Sequence, residues 1–501
     1  MESTSLLPLQ SFTRLEVKRL SNPTVLWRNR KLSQYPSDLD FGWCIPHSGD
    51  SSESYLPVSR TLLADRYGGQ GVGRNGGSGR CAGAEWWQIK GVGPTPLVSE
   101  STPSGYAHGG LTLSEAIRET IWSQICQAVL PYGAVGSLAI VGTGTKTYPE
   151  ADRSSKVVQR ALLIRQFAIR PAHYMRAANY ISNDRNNRFI DSIRTQEAIR
   201  KIWGVSIFPV QTGDVERDVE NLNSSLRSMA NRFAAQVAAL RVRTIPHGAL
   251  NCSNICCDGR LIDFGSMTAL SDYGCAITSK GKLPFGREHL SFQTTFFNIV
   301  RYLKIYLPEK ISSKILDHNS LWRVDFTQSL ERHLKTELIR LTGICNSEIH
   351  KIPTEIREDL CQAMEATMNF NNSEPFKLED MPTRMGRQDL KTAMGIMAES
   401  TAPTNEDALL DSIPSKYLRQ QLMNAYARFF DAYSRTSGKD NNSIETVKQN
   451  GKILNRKLQF LYRQNLARSI VSLVESSPEP CEVDDFINET VISALPTLAG
   501  N

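Results

Sequence analysis

The segment IPHGALNCSNICCDGRLIDFGS, residues 245–266, constrains this chain more than any other part of it. It sets Asn254 nine residues before Asp263, and Asp263 opens a DFG triplet preceded by two apolar residues. An amide oxygen and a carboxylate at the two ends of a short hairpin suit a hard divalent cation such as Mg²⁺, which prefers oxygen ligands and bridges phosphate groups. A helix is expected to lead into it, because Leu222, Leu226, Met229, Phe233, Val237 and Leu240 step by four, three, four, four and three residues along one face. Cys252, Cys256 and Cys257 match no metal-ligand spacing and read as reduced thiols packed in the core.

Upstream, residues 66–83 carry eight glycines in eighteen positions, a backbone free to take positive φ and to approach a ligand closely. A strand-like run from Glu85 to Ile89 follows, ending in Lys90 and the turn GVGPTP. Residues 111–130 read as a helix with Thr112 or Ser114 as N-cap and Ile117, Ile121, Ile125 and Val129 on one face, which places Glu119 on that helix but off the apolar stripe. A strand lysine followed 29 residues later by a helix glutamate is the order expected of a lysine that contacts nucleotide phosphates and the acid that holds it. Strands are expected at 134–141 and 161–169, after which helical patterning dominates: 292–306, 322–341, 354–368, 407–433 and 444–475.

At 501 residues the chain exceeds the size at which one core stops growing, so two packed lobes are expected. No apolar run approaches the length of a membrane span, and the opening residues lack the pattern of a secretory signal; a cytoplasmic location is expected. The net charge of +7 suits an acidic partner such as ATP, but there is no dense basic block or interleaved aromatic platform, so nucleic acid is not an expected partner. His289, His333 and His350 are isolated and read as surface or core residues.

Taken in order, LSNPTVLWRNRKLSQ, YGGQGVGRNGGSGR, WWQIKGVGPTP, SEAIRE, IRPAHY and the HGALNCSN to DFG segment resemble selenoprotein O, a family of protein adenylyltransferases, over roughly residues 20–275. The resemblance implies an α+β, atypical protein-kinase-like two-lobe fold with a large helical C-terminal part. Its divisions would be a lead-in (1–60), an N-lobe (61–185), a C-lobe (186–400) and a helical extension (401–501). It implies ATP and Mg²⁺ as cofactors, with ATP turned so that its α-phosphate is exposed and AMP is transferred to a protein or peptide. Carried over by position, the phosphate loop falls on Gly77, Ser78, Gly79 and Arg80, the strand lysine on Lys90 and the helix glutamate on Glu119. Two phosphate-contacting arginines fall on Arg165 and Arg170, and the metal ligands on Asn254 and Asp263.

Three departures accompany the resemblance. The family's NTDN, whose aspartate is the proposed base, is NCSN here, with Ser253 at the base position. A serine does not accept a proton as a carboxylate does, so a hydroxyl acceptor loses its activation, whereas a carboxylate acceptor is already ionised at neutral pH and needs no base. The insertion LVSESTPSGYAHGG leaves His108 and Gly109 at a second nucleotide contact, and the final LPTLAGN lacks the C-terminal selenocysteine or cysteine of some members. The chain is also similar to the divergent relatives found in bacterial gene clusters that mature siderophore-bearing microcins. That similarity implies a peptide C-terminal carboxylate as acceptor and an acyltransferase partner. The reading from a different class is a catalytically dead pseudokinase scaffold. Ordinary phosphoryl transfer is disfavoured by the absence of an HRD motif.

Overall fold

Eight strands, β1 (Phe12–Leu20), β2 (Thr24–Arg28), β3 (Trp43–Cys44), β4 (Tyr55–Asp65), β5 (Cys81–Ala84), β6 (Trp87–Lys90), β7 (Ser137–Thr147) and β8 (Val158–Gln166), form one antiparallel sheet in the order β2-β7-β8-β6-β5-β4-β1-β3. The computed structural model describes residues 2–32, 41–69, 76–98, 107–147, 157–177, 189–344, 346–368, 374–383, 389–400, 406–437 and 441–499. Residues 70–75 of the glycine run, 99–106 of the insertion and 33–40 of the lead-in lie outside them. The architecture is mixed α+β, with the sheet contributed by the first third of the chain and helices by the rest.

The sheet carries a core cluster on each face, which is why Ala161–Ile164 of the central strand β8 reads as an unbroken apolar run. Along β8 the side chains alternate: Leu162 and Ile164 join Leu15, Val17, Leu62, Trp87 and Ile89 in one core cluster, while Ala161 and Leu163 face the opposite cluster built on helix α1 (Leu113–Val129). Helix α1 starts sharply because Thr112 Oγ1 accepts from Glu115 N (3.1 Å) and the Glu115 carboxylate accepts from Thr112 N (2.9 Å), a reciprocal capping box. It stops before Pro131, which cannot continue a helix.

The strand boundaries differ from the sequence expectation. Cys81–Ala84, the end of the glycine-rich run, is itself a strand; Ala84 pairs with Trp87, so Glu85 and Trp86 form a two-residue hairpin turn, with Glu85 at φ +51°, and β6 begins at Trp87 rather than Glu85. Strand β7 runs to Thr147, beyond the expected Val141, because the polar tail Thr143–Thr147 stays paired with Val158–Arg160 of β8 and buries Thr143, Thr145 and Thr147 on alternate positions.

The helices are α2 (Ile190–Arg200), α3 (Val215–Val242), α4 (Ser291–Tyr306), α5 (Thr327–Arg340), α6 (Thr354–Met368), α7 (Leu390–Glu399), α8 (Lys416–Ser437), α9 (Asn441–Leu454), α10 (Arg463–Glu475) and α11 (Pro480–Ala499), with shorter helical turns between them. The six-residue stripe expected on α3 is buried in full. The helix expected over 444–475 is two helices: Asn455 turns its Nδ2 onto Leu341 O and Gly451 O (2.8 and 2.6 Å), and α-helical geometry resumes only at Arg463, after a single 3-10 turn at Gln459–Leu461. The helix expected to begin at Asp407 begins at Lys416, after Pro414. Helices α7 and α11 had no counterpart in the expectation.

Helices α10 and α11 return to the start of the fold. Leu466, Ile470, Ile487, Val491, Ala494 and Leu498 share one core cluster with Ile117, Ile121 and Ile125 of α1, α11 also packs against β2, and Asp484 pairs with Arg30 at 3.3 Å. None of the helices among the described residues is long and apolar enough to cross a membrane. Ile487 is fully buried in this contact, so Ile487→Ala should cost about 2–5 kcal/mol of unfolding free energy in urea titration. A loss below about 0.5 kcal/mol would mean that α11 is not part of the cooperative unit that holds α1.

Candidate active site

Three elements meet at Lys90. Strand β6 ends there, and its ammonium is bound both by the Glu119 carboxylate from α1 and by the Asp263 carboxylate from the DFG triplet. Lys90 and Glu119 are buried, whereas the Asp263 side chain is 44% exposed and faces solvent. Burial drives the Glu119 carboxyl above its usual range even with Lys90 beside it. Burial acts on Asp263 in the same direction, but Lys90, then Arg165 and Arg80, outweigh it and hold Asp263 well below the carboxylate range, so it stays ionised. Lys90 is stabilised as a cation, since its two carboxylates overcome the cost of desolvation. Asp263 takes φ +72°, an uncommon conformation for a residue with a side chain, and it turns the carboxylate back toward β6.

The expected hairpin connects Asn254 with Asp263. Ile262 N donates to Asn254 O (3.1 Å) and Cys256 N to Arg260 O (2.8 Å), so the two site residues are held at neighbouring ends of one ladder. The hairpin is stitched to the exit of α1, where Val135 N donates to Leu261 O (2.8 Å), and Gln236 of α3 clamps both, donating to Gly133 O (2.9 Å) and Gly259 O (2.8 Å) and accepting from Tyr132 N (3.2 Å). Asn254 Nδ2 donates to Ala249 O (2.8 Å), which leaves its Oδ1 on the side of Ser253 Oγ, 3.4 Å away. Ser253 donates its hydroxyl to Asn251 Oδ1 at 2.6 Å. Asn254 and Asp263 therefore offer two oxygens from one hairpin, a donor set that fits a hard cation completing its shell with phosphate oxygens and water. Among the described residues no group of three His, Cys, Asp or Glu side chains could hold a metal alone. Cys252, Cys256 and Cys257 are buried, as expected of core thiols.

The remaining candidates divide between charge and packing. Arg80 reaches Gly110 O (3.4 Å) and Glu115 (3.5 Å) and acts on Asp263 through its charge, as does Arg165. Arg165 lies opposite Gln88 in the β6–β8 register and donates twice to its Oε1 (3.0 and 2.8 Å); Gln88 passes the network to Asp65 (2.8 Å). Arg170, expected on phosphate, points elsewhere: one terminal nitrogen binds Asp65 (3.0 Å), the other binds Ser253 O (3.0 Å), and the guanidinium lies 4.3 Å from the Tyr67 ring centre. It fixes the loop that carries Ser253 and Asn254 onto the end of β4. Gly77, at φ +128°, is packed so closely on Asp65 O that a Cβ would sit 2.2 Å away, and Ser78 and Gly79 are pinned through their carbonyls by Thr95 (2.7 and 3.0 Å). Gly109, at φ +67°, is pressed against Gly93, whose N–H donates to its carbonyl (3.1 Å).

Asp65, Gln88, Gln236 and Glu288 support the site and were not singled out from sequence. Glu288, just before α4, accepts from Gly248 N at 2.6 Å and so anchors the HG turn, while His247 donates to Ile262 O (3.1 Å). Only Asp65 offered a signal, as the acid at the junction of a strand with the glycine run. Arg463 of α10 adds a tether from the other end of the chain, donating to Ser266 O (2.7 Å) just past the DFG triplet.

Two predictions follow from these environments. Lys90→Met leaves two carboxylates without their shared cation and should cost about 3–5 kcal/mol, with the double variant Lys90→Met/Glu119→Gln recovering at least half of that loss; additive losses in denaturation would show that the two residues do not interact. Burial raises the Glu288 carboxyl from 4.5 to about 7. Between those pH values the folded protein holds a proton that the unfolded chain has released, so stability falls as pH rises through that window. Relative to Glu288→Gln, the wild type should lose about 1–3 kcal/mol between pH 4.5 and 7, and a pH-independent difference would show that Glu288 is ionised throughout.

The family described as protein adenylyltransferase SelO matches residues 68–489. The chain is 25% identical over 294 residues to protein nucleotidyltransferase YdiU of Alkaliphilus metalliredigens, covering 56% of this chain and 52% of that one. It is 25% identical over 230 residues to the protein of the same name from Halalkalibacterium halodurans (44% and 41%), and 24% over 208 residues to that of Bacillus cereus (40% and 37%). The chain spans about half the length, or less, of these curated relatives. On the match over most of its length, the chain belongs to the SelO protein adenylyltransferase family.

Proposed function

We propose that this chain binds ATP and Mg²⁺ in a two-lobed, kinase-like fold and transfers AMP to a protein or peptide in the cytoplasm. The observation that carries the reading is the junction of Lys90 with Glu119 and Asp263, beside the Asn254 hairpin. Lys90, steadied by Glu119, would present its ammonium to phosphate oxygens, with Arg80 and Arg165 adding positive charge on the same side. Asn254 and Asp263 would hold the cation, which when bound neutralises phosphate charge. The relatives' name, protein nucleotidyltransferase, supports transfer of a nucleotidyl rather than a phosphoryl group.

Ser253 shapes the acceptor side. Its hydroxyl is committed as a donor to Asn251, and nothing at that position can take a proton from an incoming hydroxyl. A carboxylate acceptor meets the requirement without a base: its oxygen attacks the α-phosphorus, the bond to the β-phosphate breaks, pyrophosphate leaves and an acyl-adenylate forms. This favours a peptide C-terminal carboxylate, activated for ligation with a partner acyltransferase as in siderophore-microcin maturation. The same Ser253 also favours a second reading, a scaffold that keeps the fold without turnover.

The test is incubation with Mg²⁺, a peptide bearing a free C-terminal carboxylate or its amidated twin, and ATP labelled separately at the α and γ positions. AMP and pyrophosphate should appear with the free carboxylate and fall by about 100-fold or more in Asp263→Ala. Equal turnover with the amidated peptide would refute the carboxylate acceptor. Label from the γ position carried onto the peptide, rather than into pyrophosphate, would indicate phosphoryl transfer, and ATP binding without turnover would leave the scaffold.

A further inference from the structure

Beside the metal-binding hairpin lies a cavity of about 260 Å³, walled on one side by Gly248–Asn251 and on the other by Gly281–Leu283, Glu288 and Ser291. Its inner wall is the loop that carries the candidate chemistry: Asn251 is one hydrogen bond from Ser253, which precedes Asn254. The outer rim is a tight turn in which Lys282 N donates to Ser279 O (3.1 Å) and Gly281 takes φ +73°. Lys280 and Lys282 on that rim are exposed, and neither is engaged in an ion pair among the described residues. Leu283, next to Lys282 and also lining the cavity, is 39% exposed.

The one acid in the lining does not oppose an anion. Glu288 is buried, one of its carboxyl oxygens is occupied by Gly248 N, and burial raises it to about 7, so it carries less negative charge than an exposed glutamate at neutral pH. The mouth therefore carries the Lys282 ammonium and the Leu283 side chain, with Lys280 two positions earlier on the same turn and no exposed carboxylate among its lining residues. Cationic groups near a reaction centre but away from its phosphate side attract and orient anionic partners.

We propose that this cavity is the acceptor subsite and takes an extended acidic peptide, with carboxylates on Lys282 and the neighbouring Lys280 and an apolar side chain on Leu283. This rests on the AMP-transfer reading for its purpose, but binding is measured without turnover. The full chain is titrated by fluorescence anisotropy against a fluorescein-labelled peptide of alternating glutamate and leucine around a central serine, and against a twin with lysine in place of glutamate. A single-stranded oligonucleotide of similar charge serves as competitor. The acidic peptide should bind at least tenfold more tightly than its basic twin, and Lys280→Glu/Lys282→Glu should abolish that preference. Both lysines are exposed, so the variant should fold, and its ATP affinity, titrated separately, reports on the nucleotide site alone. Equal affinity for the two peptides, binding of neither, an unchanged preference in the variant, or tighter binding of the oligonucleotide would each overturn the proposal.

Discussion

A single ammonium group held between two carboxylates organises this molecule. Lys90 is too deeply placed to be solvated by water, and a buried cation is tolerated only where nearby anions replace its hydration. Glu119 and Asp263 do so, but they come from a helix and a hairpin that are distant in sequence, so the arrangement exists only while both are held in register with β6. Each support has an identifiable source: the capping box fixes the start of α1, Gln236 clamps the exit of α1 to the hairpin, and Arg170 ties the loop before the hairpin to the end of β4. One positive charge between two negative ones leaves an excess that Arg80 and Arg165 offset from a distance.

That dependence explains what the sequence could and could not reveal. Lys90, Glu119 and the Asn254–Asp263 pair were legible because each rests on a local rule: a strand end, a capped helix with an apolar stripe, a hairpin of fixed length. Asp65, Gln88 and Gln236 were not, because they act through hydrogen bonds to segments far away in the chain, and an isolated Gln on a helix carries no pattern. The same limit governs the helix boundaries. A continuous helical pattern over 444–475 hides a break that is made by Asn455 bonding across to Leu341. Strand β5 was concealed in the glycine run because its partner, not its composition, makes Cys81–Ala84 extended.

Arg170 shows how many contacts within the protein a charged site residue can carry. It was expected on phosphate, yet Asp65 and the Ser253 carbonyl occupy its terminal nitrogens, and Tyr67 covers its face. The Arg165–Gln88–Asp65–Arg170 chain links three strands, β8, β6 and β4, with the loop of Ser253 and Asn254, a continuous polar path through the buried side of the site. A path of this kind gives rigidity only while every member is satisfied, because each desolvated group gains its partner from the next.

The return of α11 to α1 has a consequence for the order in which the protein is made. The sheet and α1 are complete early in synthesis, but the apolar surface that Ile487, Val491 and Leu498 will cover is built hundreds of residues before those side chains leave the ribosome. Helices usually settle with the unit that emerges alongside them. Here the apolar flank of the helix that carries Glu119 stays without its α11 cover until residues 487–498 have been made, so the nascent N-terminal part carries an open greasy surface through most of elongation.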